Sequence, residues 1–312
     1  MRGVRCSPTG EISISTESAP EGPGVRVQVR SAGICGSDLS YIRAGAIPVI
    51  LGHEFAGVTE DGIAVAVQPN WPCGTCSACA SGSSQRCELS MKRLHGLVGL
   101  DGGFADEVLV DASLLRHLPS GLIPENAALA EPAAVALHVL ARAGVSAGDR
   151  VLVVGAGSIG LMAAAAAADR GVDVQVLARH PHQAEAAQAL GLQPVETADG
   201  DAFDRVVDAA GSATAMQTAI GASGGGATIA SIGSSGWSPA LDERALFKEL
   251  SFVASIFYTQ QEFVQALELL ARHPQIVDTV ITHRFPLAEA ARAVEVAGAR
   301  GDDRAIKVLI QP

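Results

Sequence analysis

The sequence predicts an α/β protein of two domains, one rich in β-strands and one built on a doubly wound parallel sheet. Apolar and polar residues alternate at 12–15 and 25–30, which is typical of half-buried strands. A G-x-G-x-x-G turn at 155–160 stands between a short apolar strand and an alanine-rich helix, as in a parallel βαβ unit. A chain of 312 residues is long enough for two hydrophobic cores.

Composition and charge exclude several classes of protein. Hydrophobic residues make up 48% of the chain and aromatic residues only 4%, which fits closely packed helices on a sheet. A net charge of −11 argues against nucleic acid and anionic membranes as partners, because both bind basic surfaces. The sequence shows no secretory leader and no apolar run long enough to cross a bilayer, so we expect a cytoplasmic protein.

Residues 33–54 bring together side chains that bind zinc. Cys35 supplies a thiol and His53 an imidazole, the usual zinc donors. A catalytic zinc takes three protein ligands and leaves a fourth position open for water or substrate. Taken alone, the pair also fits a buried free cysteine and a core histidine. The segment after Cys35 can form one or two helical turns, with Ser37 and Tyr41 on one face.

Four cysteines within fifteen residues give the strongest metal signal. Their C-x2-C-x2-C-x7-C spacing fits a tetrahedral structural zinc, which stabilises a loop without taking part in chemistry. A [4Fe–4S] cluster and two disulfides are the alternatives. The iron–sulfur run has a shorter last gap and a proline after its final cysteine, where this chain has Glu88. We therefore predict a structural zinc held by Cys73, Cys76, Cys79 and Cys87.

The remaining elements of the first half are short strands. At residue 132 the composition changes from mixed β to alanine-rich α/β, and we place a domain boundary there. The predicted elements are a hairpin at 55–67 that turns at 60–62, a strand at 104–110 and a helix at 132–143.

The glycine turn at 155–160 predicts a dinucleotide site. The first glycine permits the tight turn, the second lets the backbone approach a pyrophosphate, and the third lets the helix pack on the strand. The helix then presents unpaired N–H groups to the phosphates. A flavin nucleotide, a methyl donor and a glycine turn without a ligand fit the same pattern. The predicted cofactor contacts are Gly155, Gly157, Ser158, Ile159 and Gly160, with Gly211 and Gly233 after later strands.

The end of the next predicted strand, at 173–177, indicates which nucleotide is bound. An acidic residue there would bind the adenosine ribose, whereas an arginine can accommodate a 2′-phosphate. Residues 177–182 contain Arg179 and no carboxylate, while Asp173 belongs to the beginning of the strand. The sequence therefore favours NADP and leaves NAD possible, the alternative role for Arg179 being that of a solvated surface charge.

The rest of the chain continues the α/β pattern without an internal repeat or a flexible linker. Apolar runs bounded by glycine indicate further strands, and the periodic segments between them indicate helices. The predicted strands lie at 206–208, 227–232, 250–257, 279–285 and 305–310, and the predicted helices at 262–271 and 287–297.

Together these motifs resemble those of the zinc-containing medium-chain dehydrogenases, the alcohol and sorbitol dehydrogenase family. The shared motifs are GICGSD at 33–38, GHE at 52–54, the four-cysteine lobe, EP at 131–132, GDRV at 148–151 and GAGSIG at 155–160. The resemblance implies a GroES-like catalytic domain over 1–131 and 258–312, with its zinc lobe at 73–87. A Rossmann NAD(P)-binding domain would occupy 132–257.

The same resemblance implies the chemistry. Two zinc ions would be bound per chain, and Glu131 would complete the catalytic set formed by Cys35 and His53. Glu54 would lie beside this metal as an alternating or second-shell ligand. The alternative for Glu131 is an exposed carboxylate at a helix start. A secondary alcohol or polyol would be oxidised reversibly to a ketone by a homodimer or homotetramer, with Ser37 taking up the proton.

The sequence departs from the family pattern in two places. The stretch between Glu54 and Cys73 is shorter than usual and lacks the Gly-Asp-x-Val turn, and Ser40 replaces the histidine of the proton relay. The proton would therefore leave through the ribose, water or Tyr41. A second class of function is an inactive NADP-binding regulator or scaffold of the same fold. The zinc-free quinone and enone reductases are disfavoured because they lack both the Gly-His-Glu run and the cysteine lobe.

Overall fold

The chain divides into two compact units in the computed structural model, which describes residues 1–45, 48–198, 200, 202–232, 242–299 and 304–312. The first unit comprises Met1–Glu131 and Thr259–Pro312, and the second comprises Pro132–Tyr258. Tyr258 lies in the second unit, although the sequence places the boundary one residue earlier. None of the helices in these described ranges has the length and apolar character that crossing a membrane requires.

The first part of the first unit is almost entirely β. Its strands pair mainly antiparallel, and the predicted hairpin is formed by the fourth and fifth strands. The elements are β1 (Arg2–Cys6), β2 (Ile12–Thr16), β3 (Val25–Gly33), α1 (Gly36–Ala44), β4 (Glu54–Thr59), β5 (Ala64–Val67), α2 (Ser77–Ala80), β6 (Leu94–His95), β7 (Gly99–Leu100), β8 (Glu107–Val110) and β9 (Leu115–His117). Alternation along β3 buries Val27 and Val29 against Phe55 and Phe104 in one core.

The second unit contains a six-stranded parallel sheet, as the glycine turn predicts. The strand order is β12-β11-β10-β13-β14-β15, so the direction of winding reverses between β10 and β13. Helix α3 (Ala130–Ala143) begins in the first unit and continues into the second. The remaining elements of the second unit come after it in the sequence. They are β10 (Arg150–Val154), α4 (Ser158–Asp169), β11 (Asp173–Leu177), α5 (Pro181–Ala189), β12 (Gln193–Val195), β13 (Phe203–Asp208), α6 (Ala213–Ala222), β14 (Ser223–Ser231), α7 (Glu243–Phe247) and β15 (Ser251–Ala254).

The C-terminal segment returns to the first unit and extends its sheet. It contains α8 (Gln260–Arg272), α9 (Pro274–Val280), β16 (Ile281–Pro286), α10 (Ala290–Gly298) and β17 (Lys307–Gln311). The sheet order is β16-β17-β3-β4-β5-β9, and β8 also pairs with β3. Strand β17 lies antiparallel to the end of β3, with Leu309 opposite Gly33. The last strand of the chain therefore lies beside the strand that leads into Cys35.

Candidate active site

Two antiparallel strands bring Cys35 and His53 together. Strand β3 ends at Gly33, which faces Glu54, the first residue of β4. Cys35 follows the first strand closely and His53 precedes the second, so this pairing places their side chains next to each other. The sulfur of Cys35, a ring nitrogen of His53 and a carboxylate oxygen of Glu54 lie within 4.8 Å of one another.

Asp38 orients both donors from the first turn of α1. One of its carboxylate oxygens accepts the backbone N–H of Cys35 at 2.8 Å, and the other lies 3.0 Å from Nδ1 of His53. With Nδ1 donating to Asp38, Nε2 is the nitrogen left to bind a metal, as is usual for metal-binding histidines. Burial alone would lower the pKa of His53, but Asp38 and Cys35 outweigh burial and raise that pKa well above its ordinary value.

Glu54 forms a buried ion pair with Lys307. The ammonium nitrogen of Lys307 lies 2.8 and 2.7 Å from the two carboxylate oxygens of Glu54, and it also donates to the carbonyl of Ile34 at 3.1 Å. Gly33 makes room for this carboxylate, because a Cβ at that position would collide with it. Burial opposes the charge on Lys307, yet its pKa is raised, mainly by Glu54 and then by Cys35 and Glu131.

Lys307 is the site residue that sequence reasoning misses. The signal available is one lysine at the start of a strand that is otherwise apolar, Lys-Val-Leu-Ile at 307–310. A lysine that is 3% exposed needs a partner of opposite charge, and Glu54 is that partner. Both oxygens of the predicted alternating ligand are thus engaged by an ammonium group.

Glu131 lies near this cluster without belonging to its closest group. It is buried in the first turn of α3, and its charge contributes to the raised pKa of Lys307. In the described ranges, the group of donors within 4.8 Å of one another that contains Cys35 and His53 is completed by Glu54 and does not include Glu131. The assignment of Glu131 as third zinc ligand therefore stays a prediction.

Helix α1 places the hydroxyl group of Ser37 beside the donors and Tyr41 one turn further along. The hydroxyl oxygen of Ser37 lies 3.3 Å from Nε2 of His53. Tyr41 follows four residues later, so the two residues share one face of the helix. Because 39% of the surface of Tyr41 is exposed, this face leads from the buried cluster towards solvent. The hydroxyl of Ser40 instead donates to the carbonyl of Gly36 within the helix.

The four clustered cysteines form a set with the dimensions of a zinc site. Their sulfurs all lie within 4.8 Å of one another, and all six cysteines of the chain are free, which argues against the disulfide alternative. Tetrahedral zinc with Zn–S bonds of about 2.3 Å separates its sulfurs by ~3.8 Å. The sulfur of Cys79 lies 3.9 Å from that of Cys73 and 3.5 Å from that of Cys76. The set therefore fits zinc.

The pKa values of the cysteine thiols in this lobe favour a bound cation. Backbone N–H groups of Thr75 and Cys76 donate to the sulfur of Cys73 and lower its pKa to about 6. Burial and the neighbouring thiol of Cys76 raise the pKa of Cys79 to about 12. Four sulfurs this close cannot all ionise without a cation between them, and a bound zinc supplies that charge.

The second unit carries the predicted dinucleotide turn. Gly155 follows β10 with a φ of 107°, a conformation that favours glycine. Gly157 precedes the first turn of α4, which contains Ser158 and Ile159. A Cβ on Gly160 would collide with the carbonyl oxygen of Gly155, so this glycine permits the close contact between turn and helix.

Arg179 lines a pocket beyond the end of β11. The pocket has a volume of about 790 Å³, and its lining includes Arg179, His180, Glu185 and Glu196. Arg179 is exposed and makes no hydrogen bond or ion pair with any described residue. It is therefore available to a ligand, although two carboxylates line the same pocket.

The last two glycines that are predicted to contact the cofactor are Gly211 and Gly233. Gly211 lies in the turn after β13 with a φ of 66°, and its N–H donates to Asp208 at 2.9 Å. Gly233 lies outside the described residues.

A unit with two zinc-type donor sets and a unit with a dinucleotide turn together define a metal- and nucleotide-dependent oxidoreductase. Residues 22–120 match the model of the alcohol dehydrogenase GroES-like domain, and residues 158–272 match that of the zinc-binding dehydrogenases. The chain belongs to the zinc-type medium-chain dehydrogenases, the family of alcohol and sorbitol dehydrogenases. The α/β, GroES-like and Rossmann predictions are thereby confirmed.

Curated relatives include polyol and sugar-acid dehydrogenases. The chain is 33% identical to the L-galactonate-5-dehydrogenase of Escherichia coli K12, over 86% of this chain and 86% of the relative. It is 30% identical to the sorbitol dehydrogenase of Halalkalibacterium halodurans, over 97% of this chain and 96% of the relative.

Solved structures with either nicotinamide cofactor are similar to this chain. A zinc-binding dehydrogenase of Sinorhizobium meliloti bound to NADP is 28% identical with a TM-score of 0.88, covering 100% of this chain and 99% of that one. An alcohol dehydrogenase of Escherichia coli CFT073 in complex with NADH is 27% identical with a TM-score of 0.87, with the same coverage. Zinc and a nicotinamide cofactor are supported, and the choice between NADP and NAD stays open.

Proposed function

We propose that this chain oxidises a secondary hydroxyl group of a polyol reversibly to a ketone, with NADP as the favoured hydride acceptor. The cluster of Cys35, His53 and Asp38 carries the proposal, because it joins two zinc donors to the carboxylate that orients them. The names of the relatives, which include sorbitol and L-galactonate dehydrogenases, support a substrate with several hydroxyl groups.

Cys35 and His53 would hold the catalytic zinc, with Glu131 as the third ligand. A bound zinc acts as a Lewis acid that lowers the pKa of an alcohol oxygen. Glu54, held by Lys307, supplies a nearby carboxylate whose charge the ammonium group offsets. The four cysteines of the lobe would hold a second, structural zinc. Their free state supports a reducing compartment, and we place the reaction in the cytoplasm.

Ser37 begins the proton path. Its hydroxyl would accept the proton that the substrate hydroxyl releases and would pass its own proton outwards, and Tyr41 lies one helical turn further towards solvent. The substrate loses this proton from oxygen and a hydride from the adjacent carbon. The hydride goes to the nicotinamide and the proton goes to solvent, which leaves a ketone and the reduced cofactor.

The experiment that tests the function combines metal analysis with a substrate panel. Purified protein should contain two zinc ions per chain and reduce NADP⁺ in the presence of polyols such as sorbitol or galactitol. Simple primary alcohols serve as the comparison and should react more slowly. One zinc per chain together with no turnover on any polyol, sugar acid or ketone would instead favour the scaffold alternative.

Replacing Arg179 should change the choice of cofactor. Arg179→Ala removes the cation available to a 2′-phosphate, and charge-assisted hydrogen bonds of this kind contribute about 1.5–3 kcal/mol. We expect the Kd for NADPH to rise about 10- to 100-fold and the Kd for NADH to change less than about threefold. Isothermal titration with each cofactor measures both.

The matched control for this experiment is Arg170→Ala. Arg170 is an exposed arginine at the carboxyl end of α4, whereas the cofactor turn lies at the amino end of this helix. Its removal should leave both dissociation constants unchanged. Equal affinity of the Arg179→Ala variant and the wild type for NADPH would contradict the proposed role of Arg179.

We also propose a homo-oligomer formed along β15. Leu246 and Phe247 are 75% and 78% exposed at the end of α7, three residues before β15 begins, and in the described ranges β15 pairs only with β14. An unpaired strand edge beside exposed apolar side chains is a typical association surface. Leu246→Asp with Phe247→Asp should shift sedimentation from dimer or tetramer towards monomer, whereas Ile123→Asp at an exposed loop should not. A monomeric wild type would overturn this proposal.

A further inference from the structure

Asp208 is a buried carboxylate that has no cationic partner among the described residues. It ends β13 and is the one buried carboxylate among the described residues of the second unit. One of its oxygens accepts the N–H groups of Ala210 and Gly211 at 3.1 and 2.9 Å, and the other accepts the hydroxyl of Ser231 at 3.0 Å. Burial raises its pKa, which shows that the charged form is costly in this position.

The turn that Asp208 holds lies against the cofactor turn. A Cβ on Gly155 would lie 3.0 Å from the Cβ of Ala210, and one on Gly160 would lie 3.4 Å from that of Ala209. Ala209 also donates its N–H to the carbonyl of Val154 at the end of β10. The turn at 209–211 and the glycine turn at 155–160 are therefore packed together.

Both turns flank the point where the sheet reverses its winding. In the strand order, β10 and β13 are neighbours, although β11 and β12 lie between them in sequence. Ligands of doubly wound sheets bind in the crevice outside the carboxyl ends of the strands at this point. Arg179 lies in the β10–β12 half, whereas Asp208 and Ser231 end two neighbouring strands of the other half.

We propose that Asp208 is the positioning residue for the nicotinamide half of the cofactor. Its carboxylate ties the 209–211 turn to the end of β14 and so gives the second half of the crevice a fixed edge. Each half of a doubly wound sheet binds one mononucleotide, so the half opposite Arg179 receives the nicotinamide. The inference rests on the proposed use of NADP.

The variant that tests this role is Asp208→Asn. Its amide oxygen can still accept the N–H groups of the turn, while its NH₂ group faces Ser231 and the charge is lost. We expect the Kd for NADPH to rise about tenfold, as for the loss of charge-assisted hydrogen bonds. The Kd for 2′,5′-ADP, which contains only the adenosine half, should stay within about twofold of the wild-type value. Titration calorimetry measures both, and the fluorescence of bound NADPH reports on the nicotinamide environment.

Two further variants keep the test decisive. Ser231→Ala removes one of the three hydrogen bonds to Asp208 and should weaken NADPH binding in the same direction but by less, even if Asp208→Asn does not fold. Asp173→Asn makes the same chemical change at the exposed amino end of β11 and should alter neither constant.

The outcomes separate this inference from the proposed function. If both variants weaken NADPH and 2′,5′-ADP equally, or weaken neither, Asp208 has no specific role at the nicotinamide half and the inference is overturned. If the wild type binds neither NADPH nor 2′,5′-ADP, the proposed use of NADP fails first and the inference falls with it.

Discussion

Cys35→Ala is expected to lower the zinc content from two ions per chain to one and to reduce turnover by more than about 100-fold. Loss of a residue that merely orients a zinc ligand costs 10- to 100-fold, so loss of a ligand should cost more. Elemental analysis gives the metal content, and the rate of NADP⁺ reduction with the best polyol gives turnover.

The chain offers a matched control and a graded comparison. Cys6 is a buried free cysteine in the same unit, and Cys6→Ala should retain two zinc ions and activity. Asp38→Asn should bind the catalytic zinc about 10- to 100-fold more weakly, because it loses the carboxylate that fixes the His53 ring. Two zinc ions in Cys35→Ala, with normal turnover, would remove Cys35 from the catalytic site.

Lys307→Met is expected to destabilise the protein by about 3–5 kcal/mol. It removes one partner of a buried ion pair and leaves the carboxylate of Glu54 charged, without its ammonium partner and without solvent. Methionine retains most of the volume of the lysine stem, so the effect reports mainly on charge. Urea denaturation of the zinc-loaded protein measures the change.

A double variant distinguishes charge from packing. Adding Glu54→Gln to Lys307→Met removes the uncompensated charge and should recover a large part of the lost stability. Lys92→Met at an exposed lysine should change stability by less than about 0.5 kcal/mol. If Lys307→Met unfolds at the same urea concentration as the wild type, Glu54 does not depend on Lys307 and this account of the pair is wrong.

The candidate site shows how far sequence reasoning extends. Cys35 and His53 are identified by residue type and by the motifs at 33–38 and 52–54, and the structure brings them together because β3 and β4 pair. Sequence alone gives Asp38 no role, although it closes the motif at 33–38, since the identity of its partner depends on where His53 lies. Glu131 is named only through family resemblance.

The helices and strands also show which features the sequence predicts and which depend on packing. Helix α9 is absent from the sequence-based prediction, which starts a strand at 279, whereas the structure continues the helix to Val280 and begins β16 at Ile281. Five of the six residues from Ile276 to Ile281 are β-branched, with Asp278 as the exception, so the pattern fits a strand as well as a helix. Only its packing chooses between them.

The sequence by itself determined the two-part α/β organisation, the metal lobe and the glycine turn, because each of these signals lies within a few consecutive residues. Alternation sets a strand, the spacing of four cysteines sets a loop, and glycines mark a tight turn. The tertiary structure alone decided that Lys307 neutralises Glu54, 253 residues away, and that Asp208 ties the turn at 209–211 to the end of β14. Such pairs depend on which strands become neighbours in a sheet, and no local pattern of residues encodes that choice.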